Sequence, residues 1–282
     1  MKSYLECIPC FFKQALRAGR IATDDEKILK RLMDELGTHL PRISLESTPP
    51  ETGRLIYRMV AEITGNPDPY RELKREATEQ ALARYPRLKR TIEDSDDPLL
   101  AAIRLAIAGN VIDFGANASY DMDKAIREAL EKDFAILDYD AFKSRLKRSG
   151  KILYLGDNAG ETVFDRLLIE QIDRPMTYVV RDKPVINDAT YADGVAAGID
   201  RIATIVSSGT DAPGTILATC SPEFRQMLQN CGLVIAKGQG NYEGLSGEKR
   251  EIFFLLKAKC PVIADNIGVE TGAIILKGIN LN

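Results

Sequence analysis

The stretch Lys151-Ile152-Leu153-Tyr154-Leu155-Gly156-Asp157-Asn158-Ala159-Gly160-Glu161 decides how this chain is read. It opens as a short apolar run, the mark of a buried strand. It then turns abruptly to a carboxylate, a carboxamide and glycine. In open α/β sheets ligands bind beyond the carboxyl ends of strands, so Asp157 and Asn158 mark a candidate site. Both are hard-oxygen donors, which suit Mg or Mn better than Zn. The other reading is that the pair only caps the next helix, as such residues often do.

Working outward, the chain changes character near Gly150. Downstream, apolar or β-branched runs at 152–155, 176–180, 202–206 and 233–236 alternate with helical patterns at 161–171, 191–197 and 222–230. That alternation implies a parallel sheet with right-handed crossovers. The run 252–256 is readable as helix or strand, and 273–276 as a last strand. Upstream the chain reads as helices. Ser3-x-x-Glu6, Thr23-x-x-Glu26 and Thr48-x-x-Glu51 have the capping-box pattern, the third with Pro49 at the first helical position. Ile28, Leu29, Leu32, Met33, Leu36 and Leu40 form one helical face. Further helices are expected at 70–92, from Pro98 through Ile107, at 122–130 and at 141–148. The expected organisation is an α-helical domain over 1–149 followed by an α/β domain over 150–282.

With 282 residues the chain exceeds what one ordinary core usually serves. Lys+Arg 38 against Asp+Glu 41 gives a net charge of -3, which offers no electrostatic footprint for nucleic acid. No apolar run approaches a membrane span, and Glu6 and Cys7 interrupt any signal-peptide core. Five cysteines, an odd number without secretory context, point to a reducing cytoplasm. The single histidine, His39, restricts any His-based triad or multi-His zinc centre, and its place before Pro41 reads as a helix end.

Further polar clusters follow the other strands. Asn187-Asp188 lies beyond 176–180, so Asp157 and Asp188 could converge on one ion; alternatively Asn187 or Asp188 caps the helix at Tyr191. Lys237-Gly238-Gln239-Gly240-Asn241-Tyr242-Glu243 follows 233–236 and reads as a Gly-rich turn, whose amides and lysine suit an anion such as phosphate. Ser208, in Ser207-Ser208-Gly209-Thr210, could add a donor. In the helical half, Asn110 and Asp113 share a helix face and either cap a helix or face a cleft between the domains. Cys7-Ile8-Pro9-Cys10 supplies half of a zinc set or a redox pair, or two half-buried helix cysteines.

Taken together, these clusters resemble the metal-dependent damage-control phosphatases, formerly domain of unknown function family eighty-nine, and their first subfamily in particular. The resemblance is carried by Cys7-Ile8-Pro9-Cys10, Gly240-Asn241-Tyr242-Glu243 (Tyr in place of the family's Phe) and Lys259-Cys260. It implies an N-terminal helical bundle joined to a three-layer α/β/α Rossmann-like domain with a mainly parallel sheet. It also implies a divalent ion, Mn or Ni and sometimes Mg or Co, on Asp157, Asn158 and Asp188. The substrates implied are small phosphorylated metabolites, damaged or surplus ones, such as abnormal purine nucleotides or their precursors.

The leading expectation is therefore a cytoplasmic, metal-dependent phosphatase. Asp157, Asn158 and Asp188 hold the ion, and Glu161 or metal-bound hydroxide handles protons. Lys237, Gly238, Asn241, Glu243, Ser208, Asn110 and Asp113 bind substrate or phosphate. The competing expectations are an S-adenosylmethionine-dependent carboxyl methyltransferase, with Gly156–Gly160 as its glycine turn and Asp188 as its ribose ligand, and a non-enzymatic nucleotide- or metal-binding module.

Overall fold

The computed structural model describes residues 1–109, 122–172 and 174–281. Asn110 and Asp113 lie outside the described residues. Helices α1 (Cys7–Ala22), α2 (Glu26–His39) and α3 (Pro49–Thr64) come first, followed by α4 (Arg71–Glu93), α5 (Pro98–Gly109) and α6 (Met122–Glu131). The chain continues through β1 (Phe134–Leu137), α7 (Tyr139–Arg148), β2 (Ile152–Leu155), α8 (Thr162–Gln171), β3 (Met176–Val180), α9 (Tyr191–Ala196) and β4 (Thr204–Ser207). It ends with α10 (Pro222–Asn230), β5 (Leu233–Lys237), α11 (Gly238–Leu245), β6 (Ile252–Lys257), α12 (Pro261–Ile267) and β7 (Ile274–Ile279).

Among the described residues, seven strands form one sheet in the order β1-β7-β6-β5-β2-β3-β4. All neighbours are parallel except β6 and β7. β2 and β5 are buried along their whole length, as strands covered on both faces must be. On one face Tyr154, Tyr178, Ile235 and Phe253 pack with residues of α4, α5 and α8. On the other, Leu155, Val234 and Phe254 pack with residues of α10, α11 and α12. The molecule is thus a three-layer α/β/α sandwich. Helices α1, α2 and α3 share a separate core that includes Phe11, Leu32, Leu36 and Ile56.

Two local expectations need correction. The first 150 residues are not all helical, because Phe134–Leu137 pairs in parallel with β7 as an edge strand. The segment from Lys237 to Glu243 is not a turn: α11 begins at Gly238. The three capping boxes fare differently. Thr48–Glu51 forms one. Asp25, not Thr23, caps α2, accepting from the amides of Lys27 and Ile28. Ser3 does not cap α1, and its buried hydroxyl has no partner.

Candidate active site

The chain visits β2, β3 and β4 on one side and then crosses back past β2 to β5. The reversal lies between β2 and β5, and ligands bind at such switch points. The loops after β2, β3 and β5 carry the polar clusters. Two backbone bonds lace the first two loops together, Ala159 N–H to Asn187 C=O at 2.8 Å and Ala189 N–H to Asp157 C=O at 2.7 Å. An isolated antiparallel bridge pairs Asn158 with Asp188. Ile186, just before this junction, is held at φ 39°, a region a β-branched residue seldom enters.

The result is that Asp157, Asn158 and Asp188 share the wall of one cavity of about 680 Å³, within the usual range for small-molecule sites. Helices α1, α3, α4 and α12 supply the facing walls, bringing Cys7, Cys10, Tyr57, Tyr70 and Cys260 to the same space. Glu243, Gly240 and Lys259 also line it. The cysteine pair and the Lys259-Cys260 pair, from opposite ends of the chain, therefore meet at one cavity.

Behind this wall lies a layer of buried ion pairs. Asp188 accepts from Arg181 Nε at 2.7 Å, and Arg181 Nη2 donates to Asn241 Oδ1 at 3.2 Å and lies 3.9 Å from Asp157. Arg181 Nη1 has no partner although the residue is 2% exposed. Asn158 Nδ2 donates to Glu161 Oε1 at 2.6 Å and more weakly to Asp157 Oδ2 at 3.3 Å. Lys237 Nζ donates to Glu161 Oε2 at 3.1 Å and to Asp165 Oδ1 at 2.6 Å.

Burial pushes the Asp188 carboxyl up, and the nearby charge of Asp157 adds to that, against the pull of Arg181. Glu161 is raised in the same way, by burial against the pull of Lys237, with Asp157 and Asp165 adding to the rise. Burial alone would lower the Lys237 ammonium; Asp165 and Glu161 reverse this and hold it above its ordinary range. Glu243 is pushed up to about 7 by burial, opposed by a hydrogen bond from Gln239.

Several expected site residues stand away from the cavity surface. Lys237 and Glu161 are fully buried behind it. Asn241 is buried and saturated: Nδ2 donates to the carbonyls of Gly156 and Lys237, and Oδ1 accepts from Thr215 and Arg181. Ser208 donates to the Val180 carbonyl. His39 ends α2, as its position before Pro41 suggests. Sequence reasoning passed over Arg181 and Asp165. Asp165 had a signal, an acid among Val163, Phe164, Leu167 and Leu168 on one helix. Arg181 had none, since a strand-end arginine looks like any surface residue.

The donor chemistry fits a hard divalent cation. Two carboxylates repel one another in a buried setting, a strain that a cation relieves. The Asn158 nitrogen is committed to carboxylates, which leaves its carbonyl oxygen as the third donor. No group of three acidic, histidine or cysteine side chains forms a ready ligand set among the described residues. The fit thus rests on two carboxylates and a carboxamide, hard-oxygen donors of the kind Mg and Mn accept.

Fold and site together define a three-layer α/β/α protein with a cavity at the switch point of its sheet, lined by both acidic and basic side chains. The chain belongs to the ARMT1-like damage-control phosphatase family, whose domain model matches residues 3–275. It is 36% identical to a damage-control phosphatase of Archaeoglobus fulgidus, over 96% of this chain and 97% of the relative. It is 38% identical to an uncharacterized protein of Methanocaldococcus jannaschii, over 96% of this chain and 93% of that protein. A crystal structure of a DUF89 family protein from Pyrococcus horikoshii superposes with a TM-score of 0.88 at 34% identity, covering 98% of each chain.

Proposed function

We propose that this protein is a metal-dependent phosphatase that hydrolyses phosphate monoesters of small metabolites, damaged or surplus ones, with abnormal purine nucleotides or their precursors as first candidates. Family membership supports the reaction class. The observation that carries the site is the meeting of Asp157, Asn158 and Asp188 in one cavity of metabolite size. A divalent ion there, Mn or Ni first and Mg or Co next, would neutralise phosphoryl charge and lower the pKa of a bound water.

The chain's own groups complete the proposal. Exposed Lys13 and Lys259 on the cavity wall counter the charge of the phosphate. Tyr57 and Tyr70 offer apolar faces to the rest of the substrate. Glu161 is pinned on two sides, and Asp157 and Asp188 are assigned to the cation, so the acids on the cavity wall left to exchange a proton are Glu6 and Glu243. Glu243, poised near neutrality, suits protonation of a leaving oxygen.

The methyltransferase reading takes the glycines after β2 as a nucleotide approach. Gly156 has a packing reason instead: a Cβ there would lie 2.5 Å from the Tyr178 hydroxyl. The test is a screen of phosphorylated metabolites with chelator-treated protein, with and without Mn, Ni, Mg or Co. Phosphate release that requires added metal is expected. Release from no substrate under any metal, or equal release without metal, would overturn the proposal.

A further inference from the structure

Asp165 sits on the buried face of α8 and is fully buried. A carboxylate there is costly unless it is paired and hydrogen-bonded. It accepts from Tyr154 Oη at 2.7 Å, from Tyr178 Oη at 2.7 Å and from Lys237 Nζ at 2.6 Å. The two tyrosine rings stack with centroids 5.4 Å apart. The chain of bonds runs on from Lys237 to Glu161, and from Glu161 to the Asn158 carboxamide. It therefore ends on one of the three groups assigned to the cation.

The direction of each bond is dictated by chemistry. An ammonium only donates and a carboxylate only accepts. Lys237 therefore joins the two acids, and Glu161, while ionised against Lys237, can take only the nitrogen end of Asn158, not its oxygen. Gly156 belongs to the same device. It lacks the Cβ that would strike the Tyr178 hydroxyl, so the glycine that opens the acidic loop is also what lets Tyr178 reach Asp165.

We propose that Asp165 is a positioning residue: through Lys237 and Glu161 it fixes the Asn158 carboxamide with nitrogen on Glu161 and oxygen left for the cation. The cation part of this inference rests on the metal-dependent reading above; the orientation of the amide does not. A buried ion pair that merely holds α8 to the sheet would leave Asn158 indifferent to Asp165.

The test uses the full chain with Asp165→Asn and, as a milder change that keeps shape and charge, Tyr178→Phe. The deciding measurement is the 15N–1H resonance of the Asn158 side-chain amide in metal-free protein. Both variants are expected to move it, Asp165→Asn more. Titration with Mn should then show affinity weakened by roughly 10–100-fold in Asp165→Asn, as for other groups that orient metal ligands. If Asp165→Asn does not fold, Tyr178→Phe alone decides. An unmoved amide resonance in a folded variant overturns the inference. Wild-type protein that binds no Mn would sink the metal reading, and the resonance would still decide whether Asp165 sets the amide.

Discussion

Lys237 ends β5 and precedes α11, where a phosphate-binding lysine is expected, yet its ammonium faces Glu161 and Asp165 in the interior. Lys237→Met should therefore act first on stability. It leaves two buried acids without their counter-charge, a loss of about 3–5 kcal/mol for a broken buried pair, measurable by denaturant unfolding. A variant of wild-type stability with only a raised KM would contradict this placement. Glu243 allows a second test, in pH. Its folded pKa of about 7 lies above the ordinary 4.5, so the folded state holds the proton more tightly between those values. Its contribution to stability is then most favourable below that window and declines as pH rises through it. Glu243→Gln should stabilise the protein at pH 8, by on the order of 3 kcal/mol at most for a shift of this size, seen as a higher Tm, and should change little at pH 4. An equal effect at both pH values would refute the assignment of the shift. What was legible at this scale was the set of groups at strand ends. What was not was direction: sequence names Lys237 and Asn241 as polar but does not say that both turn inward.

The strands read most closely from sequence were those written as continuous apolar or β-branched runs. The strands at 152–155 and 176–180 appear with the expected bounds, because burial on both faces writes itself as continuous hydrophobicity. β1 escaped because it is a short edge strand, only alternately half-buried, set between two helices. α11 escaped for another reason. Its glycines, costly in a helix by about 1 kcal/mol each, look like turn residues, but they serve close packing. A Cβ on Gly244 would stand 2.1 Å from the Thr215 carbonyl oxygen, and one on Gly240 would stand 2.5 Å from that of Pro213. Gly244→Ala should thus cost about 1–3 kcal/mol, the range for overpacking, and displace the segment around Thr215. Unfolding midpoints within error of wild type would show that the approach is looser than the structure has it.

At the scale of the molecule, three cores converge on one cavity. The sheet presents Asp157, Asn158 and Asp188. The separate core of α1, α2 and α3 brings Cys7 and Cys10, and α12 brings Cys260. No helix among the described residues is long and apolar enough to cross a membrane. Cys10 is exposed and Cys7 buried, and burial raises the Cys7 thiol further. A maleimide should therefore label Cys10 before Cys7, and the adduct should obstruct the cavity and reduce phosphate release. Labelling of Cys10 without any loss would place it outside the substrate path. The central claim, that a cation held by Asp157, Asn158 and Asp188 drives phosphate release, is tested most directly by comparing wild type with Asp157→Ala at limiting Mn, on a substrate the screen identifies. Loss of metal-dependent turnover with an unchanged fold is the expected result, because one missing hard ligand undoes both the positioning and the charge neutralisation. Full activity of a folded Asp157→Ala protein at limiting Mn would contradict the account.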